Sequence, residues 1–386
     1  MATPRADSYT VNSGSGVYGG IFGPPSWLGA SNTWAVLPNS RLDQSGVGWS
    51  GANPGGNGGY ASIIYAWGGG AKTDSGVFYA GSFRSGTYQL LWGGGHGDYA
   101  GNEWYAYGPI ESNNPSYIRL NDPTIPAPTN VDRDGNGIPV SRHTYDHLVY
   151  LPETNEVLSV GVGGKYSSGG SGTAIDLFDL ADMTYEPKGN MTGQGGVGTG
   201  ISGDWNYGAS GYNPTTRNAY VCGIGNGSSV QCFDVATRTM SATTLNNPNG
   251  AGNSKGCVDP VRNLLLQMSN SGQLLGINLN TLPNAPTILT TTGTAPSGGI
   301  WALDWDSINN RLVVWNSANV SQIHFLTPAS NSVSTSWAWS TVNPGGVSPS
   351  GVAGNGVYGR FQFVPKWGGG VILFLGANSV GNFYRF

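Results

Sequence analysis

Side chains suited to chemistry are sparse in this chain of 386 residues, which holds four His, three Cys and 21 Asp or Glu. One group gathers around a Gly-Gly-Gly run at 93–95. Trp92 precedes the run, and His96, Asp98 and Tyr99 follow it. A second polar pair, Arg142 and His143, opens the segment Arg142-His143-Thr144-Tyr145-Asp146-His147. Indole, imidazole, phenol, carboxylate and guanidinium groups together offer aromatic faces and hydrogen bonds to a polar ligand such as a sugar. Trp92, His96, Asp98, Tyr99, Arg142 and His143 are therefore the candidate ligand-binding residues. The competing reading is structural, with His96 satisfying carbonyls in a tight turn.

The remaining chemistry is mostly excluded by type and spacing. His143 and His147 would make a metal pair on a helix. On a strand they share a face but lie about 13 Å apart, too far for one ion; structural roles are the better reading, and only a turn inside the segment would bring the two together. Asp132-Arg133-Asp134-Gly135-Asn136-Gly137 has the first half of an EF-hand loop, yet its twelfth position is His143 instead of a bidentate Glu. A polar turn is the better reading, with a weak Ca²⁺ site completed by distant carbonyls as the alternative. Cys222, Cys232 and Cys257 lack CxxC spacing. Cys222 and Cys232 fall on neighbouring expected strands, so a disulfide and buried free thiols both stand as readings. Asp98, Glu103, Asp146, Asp176 and Asp204 could supply a glycosidase pair only if two came within 5–10 Å or so. No nucleophile elbow, HExxH or phosphate loop is present. No catalytic residue, metal ligand or cofactor is assigned.

Composition points to the elements that must position these groups. Gly supplies 64 of 386 residues without a Gly-X-Y period, and charged residues are only 10%, against about 25% in an average protein. Many turns, many aromatics and few charges indicate an all-β protein. The net charge is −4 and basic residues are scattered, so nucleic acid is not an expected partner. No apolar run is long enough for membrane insertion. The first seven residues lack the apolar core of a signal peptide, so synthesis in a cytoplasm is expected.

One pattern recurs: an apolar strand, a turn containing Pro or Asp, then Asn or Gly, then a second apolar strand. Its turns fall at 152, 214, 260, 307 and 365, and a less regular copy covers 77–92. Repeats of this length are the mark of a propeller. The expectation is a single β-propeller of about six four-stranded blades over residues 58–386. The chain's last segment, 382–386, reads as a third strand, and Tyr60–Trp67 would supply the fourth from the N-terminal side. Residues 1–57, with Trp27, Trp34 and Trp49, would form an irregular arm.

Two segments resemble known families. Leu91–Tyr107 and Arg142–Pro152, followed by Gly163-Gly164, are similar to kelch repeats of galactose oxidase-type propellers. That resemblance implies the ring, and with only four His the copper ligand set of such oxidases finds no match. Ala6–Val11, Gly16–Gly20 and Pro24–Trp27 resemble the openings of bacteriophage tail and virion proteins. This implies a non-enzymatic virion protein in a tail, fibre or capsid decoration, made in the host cytoplasm. Its arm would bind other virion proteins, and its propeller a host surface molecule, plausibly a glycan, alone or as a homo-oligomer. The alternatives are a secreted or phage-borne carbohydrate-active enzyme with its site at the propeller mouth, and a purely structural virion module.

Overall fold

The computed structural model describes residues 23–48, 62–65, 67–95, 98–129, 131, 133–134, 136–160, 166–167, 175–185, 208–223, 229–244, 255–269, 272–282, 286–351 and 355–386. It is an all-β ring of six blades, each built on a four-stranded antiparallel meander. The innermost strands are Gly70–Thr73, Leu148–Leu151, Gly208–Asn213, Gly256–Asp259, Trp301–Asp306 and Phe361–Val364. Each touches the next around the axis, and the short 3-10 turn Tyr358–Arg360 completes the circle between blades six and one.

The recurrent turn explains why the inner hairpins form. In blade four the strand ends at Asp259, whose Oδ1 accepts the N–H groups of Val261 (2.9 Å) and Arg262 (3.1 Å). In blade five Asp306 does the same for Ile308 and Asn309, both at 3.1 Å. In blade three Asn213 serves Thr215 at 2.9 Å. The fourth turn residue then adopts a left-handed backbone: Asn155 (φ 56°), Arg217 (59°), Asn263 (53°) and Asn310 (54°). Asx side chains that cap the turn, and Asn at three of four left-handed positions, are the local chemistry such turns need.

Two features of the ring differ from the sequence expectation. Its closing strand is Thr33–Val36, which pairs antiparallel with Asn382–Arg385, while Gly345–Gly346 adds a parallel fifth strand outside it. Residues 62–65 form a turn instead, with Ile64 at φ +56° and Trp67 at φ +52°. Ile63 and Ile64 are apolar because they fill the seam between blades six and one. In blade one the inner strand is Gly70–Thr73. The apolar run at 76–79 pairs only with Ser82–Ser85, as an inserted hairpin leaning on blade two through Phe78 N–H to Leu180 O (2.8 Å).

Stability comes from six apolar clusters among the described residues, one in each blade-to-blade seam. Trp34 of the closing strand lies in the seam of blades five and six and donates its indole N–H to Ser321 O at 2.9 Å. Blade one meets blade six so closely that a Cβ on Gly359 would collide with the Gly70 carbonyl. Cys222, Cys232 and Cys257 are free thiols. Burial pushes the Cys222 thiol up to about 12. Among the described residues no helix is long and apolar enough to cross a membrane.

A meander fixes two faces. Turns between first and second strands, and between third and fourth, lie on one side of the ring, here the turn face. Connections between second and third strands, and from blade to blade, lie on the other, the loop face.

Candidate functional site

The loop face carries the expected ligand-binding residues, on the connections 93–103 within blade one and 120–147 between blades one and two. Ser141 stitches the two connections together. Its Oγ accepts Gly95 N–H (2.9 Å) and lies 2.6 and 2.7 Å from the carbonyls of Gly95 and Tyr99. His96 lies outside the described residues.

Three of the expected residues are buried supports. Trp92 packs edge-on against Trp104 and donates its indole N–H to Arg142 O at 3.0 Å. Tyr99 donates to Glu103 Oε1 at 2.7 Å, and Tyr105 donates to the same oxygen at 2.8 Å. Burial raises the Glu103 carboxyl above the ordinary range, against these phenols that favour its charged form. Arg142 is buried against Asp176, and Arg133 binds the other Asp176 oxygen with its Nε at 2.6 Å. Asp134 Oδ1 caps its own turn, accepting N–H from Asn136 (2.8 Å) and Ile138 (2.9 Å). Asp132 and Gly135 of the same loop lie outside the described residues.

Asp98 and His143 come together. Asp98 Oδ2 lies 3.6 Å from His143 Nε2, and the Asp98 side chain is 38% exposed. The other imidazole nitrogen, Nδ1, is 3.2 Å from the Tyr145 hydroxyl. Trp67, absent from the sequence-based set, covers the imidazole with ring centroids 4.7 Å apart. Its indole is half-buried. Backbone bonds hold this arrangement: Tyr145 N–H donates to Trp67 O (2.9 Å), and Gly69 N–H to Thr144 Oγ1 (2.8 Å). The result is a partly exposed indole, an imidazole and a carboxylate within one surface patch.

A second polar cluster was not selected from the sequence. It bridges non-adjacent blades across the central axis near its loop-face end. Asp146 precedes the inner strand of blade two, and its Oδ2 accepts N–H from Gly256 of blade four (2.7 Å) and Ser210 of blade three (3.2 Å). Lys255 precedes the inner strand of blade four and donates its ammonium to Phe361 O of blade six. Asp304, within the inner strand of blade five, accepts Phe363 N–H at 2.7 Å. Burial drives the Asp146 carboxyl up to about 8, an effect that Asp304 reinforces and Lys255 opposes. From this floor a cavity of about 310 Å³ runs along the axis to the turn-face residues Pro152, Pro214, Pro260 and Ser307. The available signal was positional: innermost strands of a propeller line the axis, and Asp304 within one of them, with Asp146 and Lys255 just ahead of two others, stands where the channel runs.

Among the described residues, no three His, Cys, Asp or Glu side chains converge as metal ligands. No family model matches the chain, and no curated protein matches it in sequence. Among solved structures it is similar to the major allergen Mala s 1 of Malassezia sympodialis, at 14% identity over 84% of this chain and 92% of that one, with a TM-score of 0.49. An auxiliary nutrient binding protein from Bacteroides ovatus is similar at 10% identity, over 77% and 65% of the two chains, TM-score 0.40. The Dos1 propeller is similar at 11% identity, over 78% and 75%, TM-score 0.38. These are likenesses of fold alone.

Proposed function

We propose that this chain is a non-enzymatic, kelch-type propeller of a bacteriophage virion that binds a host surface glycan through its loop face. The observation that carries the binding is the patch of Trp67, His143 and Asp98. A half-exposed indole offers an apolar plate to the C–H face of a sugar ring. The neighbouring carboxylate accepts from hydroxyls, and its hydrogen bonds are the stronger, charge-assisted kind. The deeper residues Trp92, Tyr99 and Arg142 hold the two loops and are supports for this patch. The low charge of the chain suits neutral saccharides. The virion assignment is supported by the likeness of residues 6–27 to phage openings, with the N-terminal segment as the contact to other virion proteins.

The test is a panel of host envelope polysaccharides titrated into the full chain, with Trp67→Ala and Asp98→Asn as variants. Each variant is expected to weaken binding about tenfold. Release of new reducing ends would overturn the non-enzymatic part of the proposal. Undiminished binding by both variants would overturn the site. Immunolabelling of purified particles checks the virion assignment, and unlabelled particles would refute it.

A further inference from the structure

We infer that the axial cavity is a second binding pocket, for one neutral polyhydroxylated unit of monosaccharide size, entered from the turn face. Its mouth opens on the face opposite the Trp67 patch, and none of Trp67, His143 and Asp98 lines it.

Size is the first argument. A cavity of about 310 Å³ sits at the small end of the range for pockets that enclose small molecules. The second argument is unmet hydrogen bonding. Lys255 is only 3% exposed and lines the cavity, yet its three N–H donors have one hydrogen-bond acceptor, Phe361 O, among the described residues. A buried ammonium that faces the cavity with donors to spare favours a guest that supplies acceptors. Asp146 makes both of its hydrogen bonds through Oδ2, and Oδ1 makes none among the described residues. Gln362 donates Nε2 to Gly359 O at 3.0 Å, and it lines the same space. The pocket therefore presents both donors and acceptors, which is what vicinal hydroxyls require.

Charge balance selects among polar guests. Lys255 and Asp304 carry opposite charges, and burial favours the neutral form of Asp146. At the mouth Lys72 is paired with Asp74. No surplus of either sign is left to hold an anion or a cation. Trp305 adds one apolar wall for the ring face of the guest.

The experiment is calorimetric titration of the full chain with glucose, galactose, mannose and N-acetylglucosamine, with glucuronate and glucosamine as charged controls. One-to-one binding of at least one neutral sugar is expected, with the charged controls at least tenfold weaker. Lys255→Met and Asp146→Asn should each cost about tenfold or more, while Trp67→Ala leaves this binding unchanged. Near-UV circular dichroism verifies that the variants keep their packing. Gln362→Ala, at a half-buried position lining the same cavity, provides a second variant should Lys255→Met fail to fold. Binding of none of the neutral sugars, equal or tighter binding of a charged one, or binding indifferent to the folded variants would each overturn the inference. Loss of sugar binding in Trp67→Ala alone would place the sugar at the loop face and overturn it as well.

Discussion

Replacing Asp146 with Asn isolates the most perturbed carboxyl at the axis. The side chain is buried, and burial, which penalises the charged form, pushes its carboxyl up to about 8 from the ordinary 3.8. The sign follows from proton counting. Between these two values the folded protein holds a proton that the unfolded chain has released. The stability is therefore complete below about pH 4 and drains as pH rises through 8. The interval is roughly four pH units, and each is worth about 1.4 kcal/mol, so the loss is on the order of 5 kcal/mol. Asn keeps an oxygen for the N–H groups of Ser210 and Gly256 and cannot ionise. Urea unfolding at pH 5, 7 and 9 tests this. The wild-type midpoint should fall steadily across the series, the Asp146→Asn midpoint should stay nearly level, and the variant should be the more stable at pH 9. Parallel profiles for the two proteins would show that Asp146 is not buried as a neutral acid, and the reasoning about the axial floor would go with it.

Two further outcomes follow from the packing. Asp176→Ala leaves Arg133 and Arg142 buried without their shared carboxylate, so urea unfolding should show a loss of about 3–5 kcal/mol; a loss below 1 kcal/mol would contradict the buried triad. Trp34→Ala empties the seam of blades five and six and loosens the closing strand. Its expected cost is about 3–5 kcal/mol in thermal unfolding, with self-association in sedimentation velocity as the edge at Asn382–Arg385 is uncovered.

The blades were legible because each inner hairpin is a local event. Asp259-Pro260 followed by Asn263, or Asp306 followed by Asn310, carries its own turn chemistry within five residues, and the structure uses those atoms as the pattern requires. The closing strand was illegible for the opposite reason. Thr33–Val36 pairs with residues some 350 positions away, and only Trp34 marks it as buried. Tyr60–Trp67 looked the better strand because it is more apolar, but seam-filling turns and strands bury the same residue types. Apolarity alone does not separate them. The run at 76–79 misled in the same way, since a hairpin lying on a neighbouring blade also needs an apolar side.

The site divides along the same line. Asp98 could be picked out because it stands beside a Gly-rich run, where a polar side chain has few structural duties, and His143 because the short segment 142–147 gathers an Arg, two His, a Tyr and an Asp. Trp92, Tyr99 and Arg142 were drawn from the same segments, but proximity in sequence does not say which way a side chain points, and these three turn inward to Arg142 O, Glu103 and Asp176. The axial cluster draws Asp146, Lys255 and Asp304 from three blades, and no local pattern joins them. Their common property is topological: each stands just before an innermost strand or within it, where six strands converge. A charge at such a position must be met by a backbone partner, by another charge or by a guest. Asp146 and Asp304 are met largely by backbone N–H groups. Lys255 has Asp304 as its counter-charge and the Phe361 ring beside it, but donates to a single carbonyl, and its remaining donors make the axial floor, more than the loop face, the place where a ligand would change the energetics of the whole ring.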